Sequence, residues 1–177
     1  MDAAFMDKTG YTTLNLKNLL VMLASKDSKS RKKARELLIT FGKPAVSSLE
    51  NLLQNSKDDH LRWEAAKTLG GIADIRSIPS LVNALEDSNH DVAWLAAEAL
   101  SNFKKAAWPA LLRLLVNAEH KDSILLRQGV HHVLLNQKEE GFDDLLENLQ
   151  VALKSNAAPE LTVIAANELL KQMEIKI

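Results

Sequence analysis

The chain repeats itself, and nothing else in it restricts the fold as strongly. Leu61-Arg62-Trp63-Glu64-Ala65-Ala66-Lys67-Thr68-Leu69 returns 31 residues later as Val92-Ala93-Trp94-Leu95-Ala96-Ala97-Glu98-Ala99-Leu100. Weaker copies begin at Ser30-Arg31-Lys32-Lys33-Ala34, at Leu126-Arg127-Gln128-Gly129-Val130 and at Leu161-Thr162-Val163-Ile164-Ala165-Ala166. A second unit alternates with the first. Ile78-Pro79-Ser80-Leu81-Val82-Asn83-Ala84-Leu85 is echoed by Trp108-Pro109-Ala110-Leu111-Leu112-Arg113-Leu114-Leu115, and more loosely from Val46, from Phe142 and around Leu16. A period of this length means stacked supersecondary units, each too small to bury its apolar face alone.

Both units have helical period. Leu61, Ala65, Leu69 and Ile72 fall at i, i+4, i+8 and i+11, and Ile78, Leu81, Val82 and Leu85 at i, i+3, i+4 and i+7. Strand-like alternation is absent. Pro44, Pro79, Pro109 and Pro159 stand at or near helix starts, where a missing N–H costs nothing. Polar segments at 25–29, 55–59, 87–89, 117–122 and 155–158 suit tight helix–helix connections.

The order aliphatic-Arg-x-x-Ala-Ala-x-x-Leu-Gly-x-Ile, then Asp74, then Ile78-Pro79-x-Leu-x-x-Ala-Leu, resembles the HEAT repeat, in the short variety of the phycobilisome lyases. The match is sharp over 61–87, good over 92–116, and degenerate over 28–53 and beyond 124. The resemblance implies an all-α, right-handed α-solenoid (α-α superhelix) of about five HEAT-like helix pairs. They form a single domain over 1–177, with repeats at about 14–41, 44–73, 77–104, 107–135 and 141–172. It further implies that the second helix of each pair, at 29–41, 59–72, 91–104, 123–135 and 159–172, lines a concave face. Helices stacked 8–10 Å apart make that face a ramp about 40 Å long. Ala34, Ala65, Ala66, Ala96, Ala97, Ala165 and Ala166 let neighbouring helices approach, and enlarging one costs about 1–3 kcal/mol. Val130 and His131 replace the alanine pair in the fourth copy, so looser geometry is expected there.

On this register Lys32, Lys33, Glu36 and Thr40 line the groove first. Trp63, Glu64, Lys67 and Gly71 follow, then Trp94, Leu95, Glu98 and Asn102, then Gln128, Gly129, His132 and Asn136, and finally Val163, Ile164, Asn167 and Lys171. Trp63 and Trp94 share one repeat position, and each indole carries about 150–250 Å² of surface. Open together, with Leu95 beside them, they approach the patch size of a binding site. Flat against the neighbouring repeat, they are packing. Gly71 and Gly129 leave gaps in the floor, whereas Trp108 aligns with Ile78 and belongs to the core.

The end helices are apolar. Leu19-Leu20-Val21-Met22-Leu23 opens the array, and Leu161, Val163, Ile164, Leu169, Leu170 and Met173 close it. Either the tails at 1–13 and 174–177 fold over them, or they offer self-association. Lys26, Lys29, Arg31, Lys32, Lys33 and Arg35 against Asp27 make a basic stretch, read first as a solvated helix start and second as a phosphate contact. Acidic residues Glu139, Glu140, Asp143, Asp144 and Glu147 lie towards the other end.

Little supports catalysis. With no cysteine, the chain has no thiol nucleophile, disulfide or zinc-thiolate site. It has neither a Gly-x-Ser-x-Gly elbow nor a phosphate loop. His60, His90 and His120 fall in or beside turns, and His131 and His132 diverge by about 100° on a helix, so no metal site is expected. HEAT-like deoxyhypusine hydroxylases carry His-Glu dyads. Here the histidines precede Leu61, Asp91, Lys121, His132 and Val133, which excludes that enzyme. Glu64 and Glu98 read as groove-lining charges. Trp63, Trp94, Glu98 and the basic stretch loosely resemble the inventory of HEAT-like alkylpurine DNA glycosylases. Against that stand Ala93 in the arginine position and a balance of 22 basic to 23 acidic residues. A bilin lyase-like chromophore-binding subunit is the other alternative.

The expected function is therefore that of a non-catalytic protein-binding adaptor or scaffold. A protein or peptide partner would lie on the concave face against Trp63, Glu64, Lys67, Trp94, Leu95, Glu98, Asn102, Gln128 and His132. No cofactor and no nucleic acid is expected. The opening MDAAFMDKTG has no signal-peptide pattern, and no run of 18 apolar residues occurs, so a cytoplasmic protein without a membrane span is expected.

Overall fold

Helix starts recur with the same device. The carboxylate of Asp27 accepts from the backbone N–H groups of Lys29 and Ser30, that of Asp58 from His60, and the amide oxygen of Asn89 from Asp91 and Val92. Ser123 accepts from Leu126 in the same way. Each cap satisfies N–H groups that a helix start leaves orphaned, and is worth about 1 kcal/mol.

The computed structural model describes residues 10–117, 123–154 and 159–175, with side chains described over 16–174. In chain order these hold α1 (Gly10–Leu23), α2 (Ser28–Phe41), α3 (Val46–Asn55), α4 (Asp59–Ile72), α5 (Ile78–Asn83), α6 (His90–Ser101), α7 (Trp108–Val116), α8 (Ile124–Leu134), α9 (Asp143–Lys154) and α10 (Pro159–Ile175). Short 3₁₀ turns at Lys43–Ala45, Ile75–Ser77 and Lys104–Ala107 lead into α3, α5 and α7, and another at Ala84–Glu86 follows α5. Among the described residues there is no strand. The fold is an all-α solenoid.

The first three pairs stack regularly. α1 packs on α2, α3 on α4 and α5 on α6, while α2, α4, α6 and α8 form a row. Ala65, Ala66, Ala96 and Ala97 are fully buried in that row. At Gly70 the backbones come so close that an added Cβ would lie 2.7 Å from Cβ and 3.0 Å from Cα of Ala99.

Arginines then tie repeat to repeat. Arg31 and Arg62 each donate through Nη1 to a carbonyl six residues back, those of Ser25 and Ser56. Arg31 Nε reaches Glu64 at 3.2 Å, and Arg62 holds both carboxylate oxygens of Asp87 at 2.7 and 2.8 Å. Burial alone would raise the pKa of Asp87, but the Arg62 bond and the Asn89 N–H outweigh it and hold the carboxyl low. Arg127 in turn donates to the carbonyls of Ala152 and Leu153. The third copy has Ala93 in this place and makes no such link.

The last two pairs depart from the expected stack. α8 packs on α6 and α9, while α10 packs on α7 and α9 instead of extending the row beside α8. The place of Val163, Ile164, Asn167 and Lys171 as a fifth rank of the groove is therefore corrected. Two features accompany the change. α8 carries Val130 and His131 in place of the small pair, and Trp108 anchors the start of α9 to α7. Its ring meets Phe142 edge-on at 6.1 Å, and its indole N–H donates to Gln137.

Candidate functional site

The two equivalent tryptophans have different surroundings. Trp63 is half-buried against the core, with Lys67 Nζ 4.6 Å and Arg35 Cζ 6.0 Å from its ring and His60 stacked at 6.0 Å. Cations over an indole face add about 0.5–1 kcal/mol each at such a site. Trp94 is 51% exposed and leans on His132, ring centroids 4.1 Å apart. Of the two expected anchors, Trp94 is the open one.

Glu64 and Leu95, a matched pair of expected groove positions, are buried at 3% and 7% exposure. Glu64 turns inward because Arg31 and Arg35 both reach its carboxylate from α2. Leu95 joins the apolar core. The gap expected at Gly71 is taken by Ile39, whose Cδ1 would lie 2.5 Å from an added Cβ. Lys67, Glu98, Asn102 and Gln128 are exposed, and His132 is half-buried.

Arg31 and Arg35 are thus drawn out of the basic stretch into the fold, and Lys26, Lys29, Lys32 and Lys33 remain exposed around the start of α2. At the ends, Val21, Leu161 and Ile164 are more than half exposed. The tails at 1–13 and 174–177, expected to cover those ends, lie outside the residues whose side chains are described, apart from exposed Glu174.

A cavity of about 440 Å³ opens between α6 and α8 and reaches the end of α9. Trp94, His132 and Gln128 line it, so three expected site residues meet there. Its other walls are Leu85, His90, Ala93, Leu125, Gly129, His131, Leu135, Leu153 and Lys154. Two truncated side chains make the room. Ala93 stands where Arg62 and Arg127 stand in neighbouring copies, and Gly129 where Glu64 and Leu95 stand. The volume falls in the range of small-molecule sites.

His131, Ala93, His90 and Lys154 are site residues that the repeat register did not single out. The available signal was the departure of the third and fourth copies from the pattern. Nε2 of His131 is buried without a hydrogen-bond partner. Burial first, then the positive charges of Lys154 and His132, push its pKa below the ordinary histidine value. Among the described residues no three His, Asp or Glu side chains gather as a metal would need, and no helix is long and apolar enough to cross a membrane.

The family model for HEAT repeats matches residues 16–101 and, overlapping, 46–135. No curated protein matches the chain. A solved structure of the complex of CpcE and CpcF of phycocyanin lyase from Nostoc sp. PCC7120 is similar in fold. The likeness covers 90% of this chain and 99% of that one, with a TM-score of 0.55 and 22% identity.

Proposed function

The chain belongs to the HEAT-repeat family, and from that premise we propose that it is a non-catalytic adaptor or scaffold that grips a protein segment. The observation that carries this reading is Trp94, a large aromatic left 51% exposed on α6 in the stacked row. Lys67, Glu98, Asn102 and Gln128, all exposed, supply polar contacts around it. Aromatic anchors of this kind dominate the binding energy of protein interfaces. Trp63, Glu64 and Leu95 act in this reading as the support that holds α4 and α6 in place. In this reading the protein works in the cytoplasm.

Selection of peptides from a displayed library on the wild-type protein tests it, with affinities then measured by calorimetry. Trp94→Ala is expected to weaken a selected peptide about 30-fold, the equivalent of about 2 kcal/mol, with the thermal midpoint nearly unchanged. Trp63→Ala is expected to lower the midpoint instead. Selected peptides that bind Trp94→Ala as well as wild type would sink the proposal.

A second reading, a bilin-binding subunit of the lyase kind, draws on the cavity beside the Trp94–His132 stack. It requires a shift in bilin absorbance on mixing, and an unchanged spectrum removes it.

A further inference from the structure

The cavity between α6 and α8 has a chemical bias that a protein-binding face does not require. Its apolar walls are Leu85, Leu125, Leu135 and Leu153, with the Trp94 ring beside them. Its polar groups are three histidines, one lysine and one amide: His90, His131, His132, Lys154 and Gln128. No carboxylate lines it. Asp87, two residues after Leu85, is held by Arg62. Lys154 makes no ion pair among the described residues.

The space itself has an identifiable origin. Wherever the repeat keeps its arginine, the guanidinium fills the junction with the next repeat, as Arg62 does with Ser56, Asp59 and Asp87. Ala93 removes that filling at one junction and Gly129 removes the side chain opposite. An apolar chamber with donors and no acidic acceptor suits a flat apolar ligand that ends in an anion. His131, which lines the chamber, adds a buried ring nitrogen with no protein partner.

We propose that this cavity binds a small aromatic acid of one or two fused rings, with its ring against Trp94 and its anionic group toward Lys154. The cavity shares Trp94 and Gln128 with the protein-binding reading but does not rest on it, because binding of a small probe is measured without any peptide.

Three probes share one ring system and differ in charge: 2-naphthoate, 2-naphthalenemethanol and 2-naphthylmethylammonium. Binding of each is followed by calorimetry and by ligand-observed NMR. The naphthoate is expected to bind at roughly millimolar Kd or tighter, and about tenfold more tightly than the ammonium. Ala93→Leu puts a side chain into the chamber and is expected to weaken all three probes about tenfold or more. Lys154→Gln, a change at an exposed helix end, is expected to bring the naphthoate to within about threefold of the neutral alcohol. Circular dichroism checks that both variants fold, and if Ala93→Leu does not, Lys154→Gln decides alone. Equal affinity for the three probes, no binding at several times the expected Kd, or naphthoate binding indifferent to Lys154→Gln would each overturn the proposal.

Discussion

Glu64 is the residue whose loss the fold would feel most directly. Its carboxylate is buried and takes Arg31 and Arg35 from the neighbouring helix. Glu64→Ala would leave two half-buried guanidinium groups without a carboxylate, Arg31 keeping only its backbone carbonyls, and should cost about 3 kcal/mol in chemical denaturation. His131 supplies a pH dependence of definite sign. Its pKa in the fold lies below the ordinary value of 6.5, so the fold favours the neutral ring. That contribution is fully present above about pH 6.5 and is lost as pH falls toward the folded value. The thermal midpoint should therefore drop between pH 7.5 and 5.5, and His131→Gln should flatten the profile. These two residues also show where sequence reasoning stops. A repeat register gives the direction in which a side chain leaves its helix. The burial of Glu64 depends instead on arginines 33 and 29 residues away, and the isolation of His131 Nε2 on what α9 fails to offer.

At the scale of the helices, the period was readable because close stacking needs small residues at regular places. The helix expected over 59–72 is α4, Asp59–Ile72, and the pairs Ala65–Ala66 and Ala96–Ala97 lie in the stacked row as expected, whereas Ala165–Ala166 are buried on α10 outside it. The caps Asp27, Asp58 and Asn89 also stand 31 residues apart, a recurrence that the reading of apolar period passed over. The placement of α10 was not readable, because its stripe of Thr162, Ala165, Ala166, Leu169 and Met173 would bury equally well against any apolar neighbour. Two glycines separate contact from space. Gly70→Ala should destabilise by about 1–3 kcal/mol despite better helix propensity, since the backbone of Ala99 stands in the way. Gly129→Ala comes closest to the Cδ2 of Leu85, at 3.1 Å, a methyl that borders the cavity and has room to shift, and should gain up to about 1 kcal/mol. Denaturation midpoints of the two variants, moving in opposite directions, would bear this out.

For the whole molecule, stability in a solenoid is close to a sum of repeats and the junctions between them. The junctions of α2 with α4 and of α4 with α6 carry alanine packing and arginine links. The junction of α6 with α8 carries a cavity and no arginine link. Amide hydrogen exchange should therefore show its highest protection in α4 and the first half of α6, with a step down at α8. Uniform protection from α2 to α8 would contradict that ranking. Units joined in series share any load equally, and the joint with the fewest rivets yields first. Arg31, Arg62 and Arg127 are rivets, and Ala93 is an empty rivet hole. Stretched along its axis, the protein would behave as a rod with one fuse, parting between α6 and α8 while the sections on either side stayed whole.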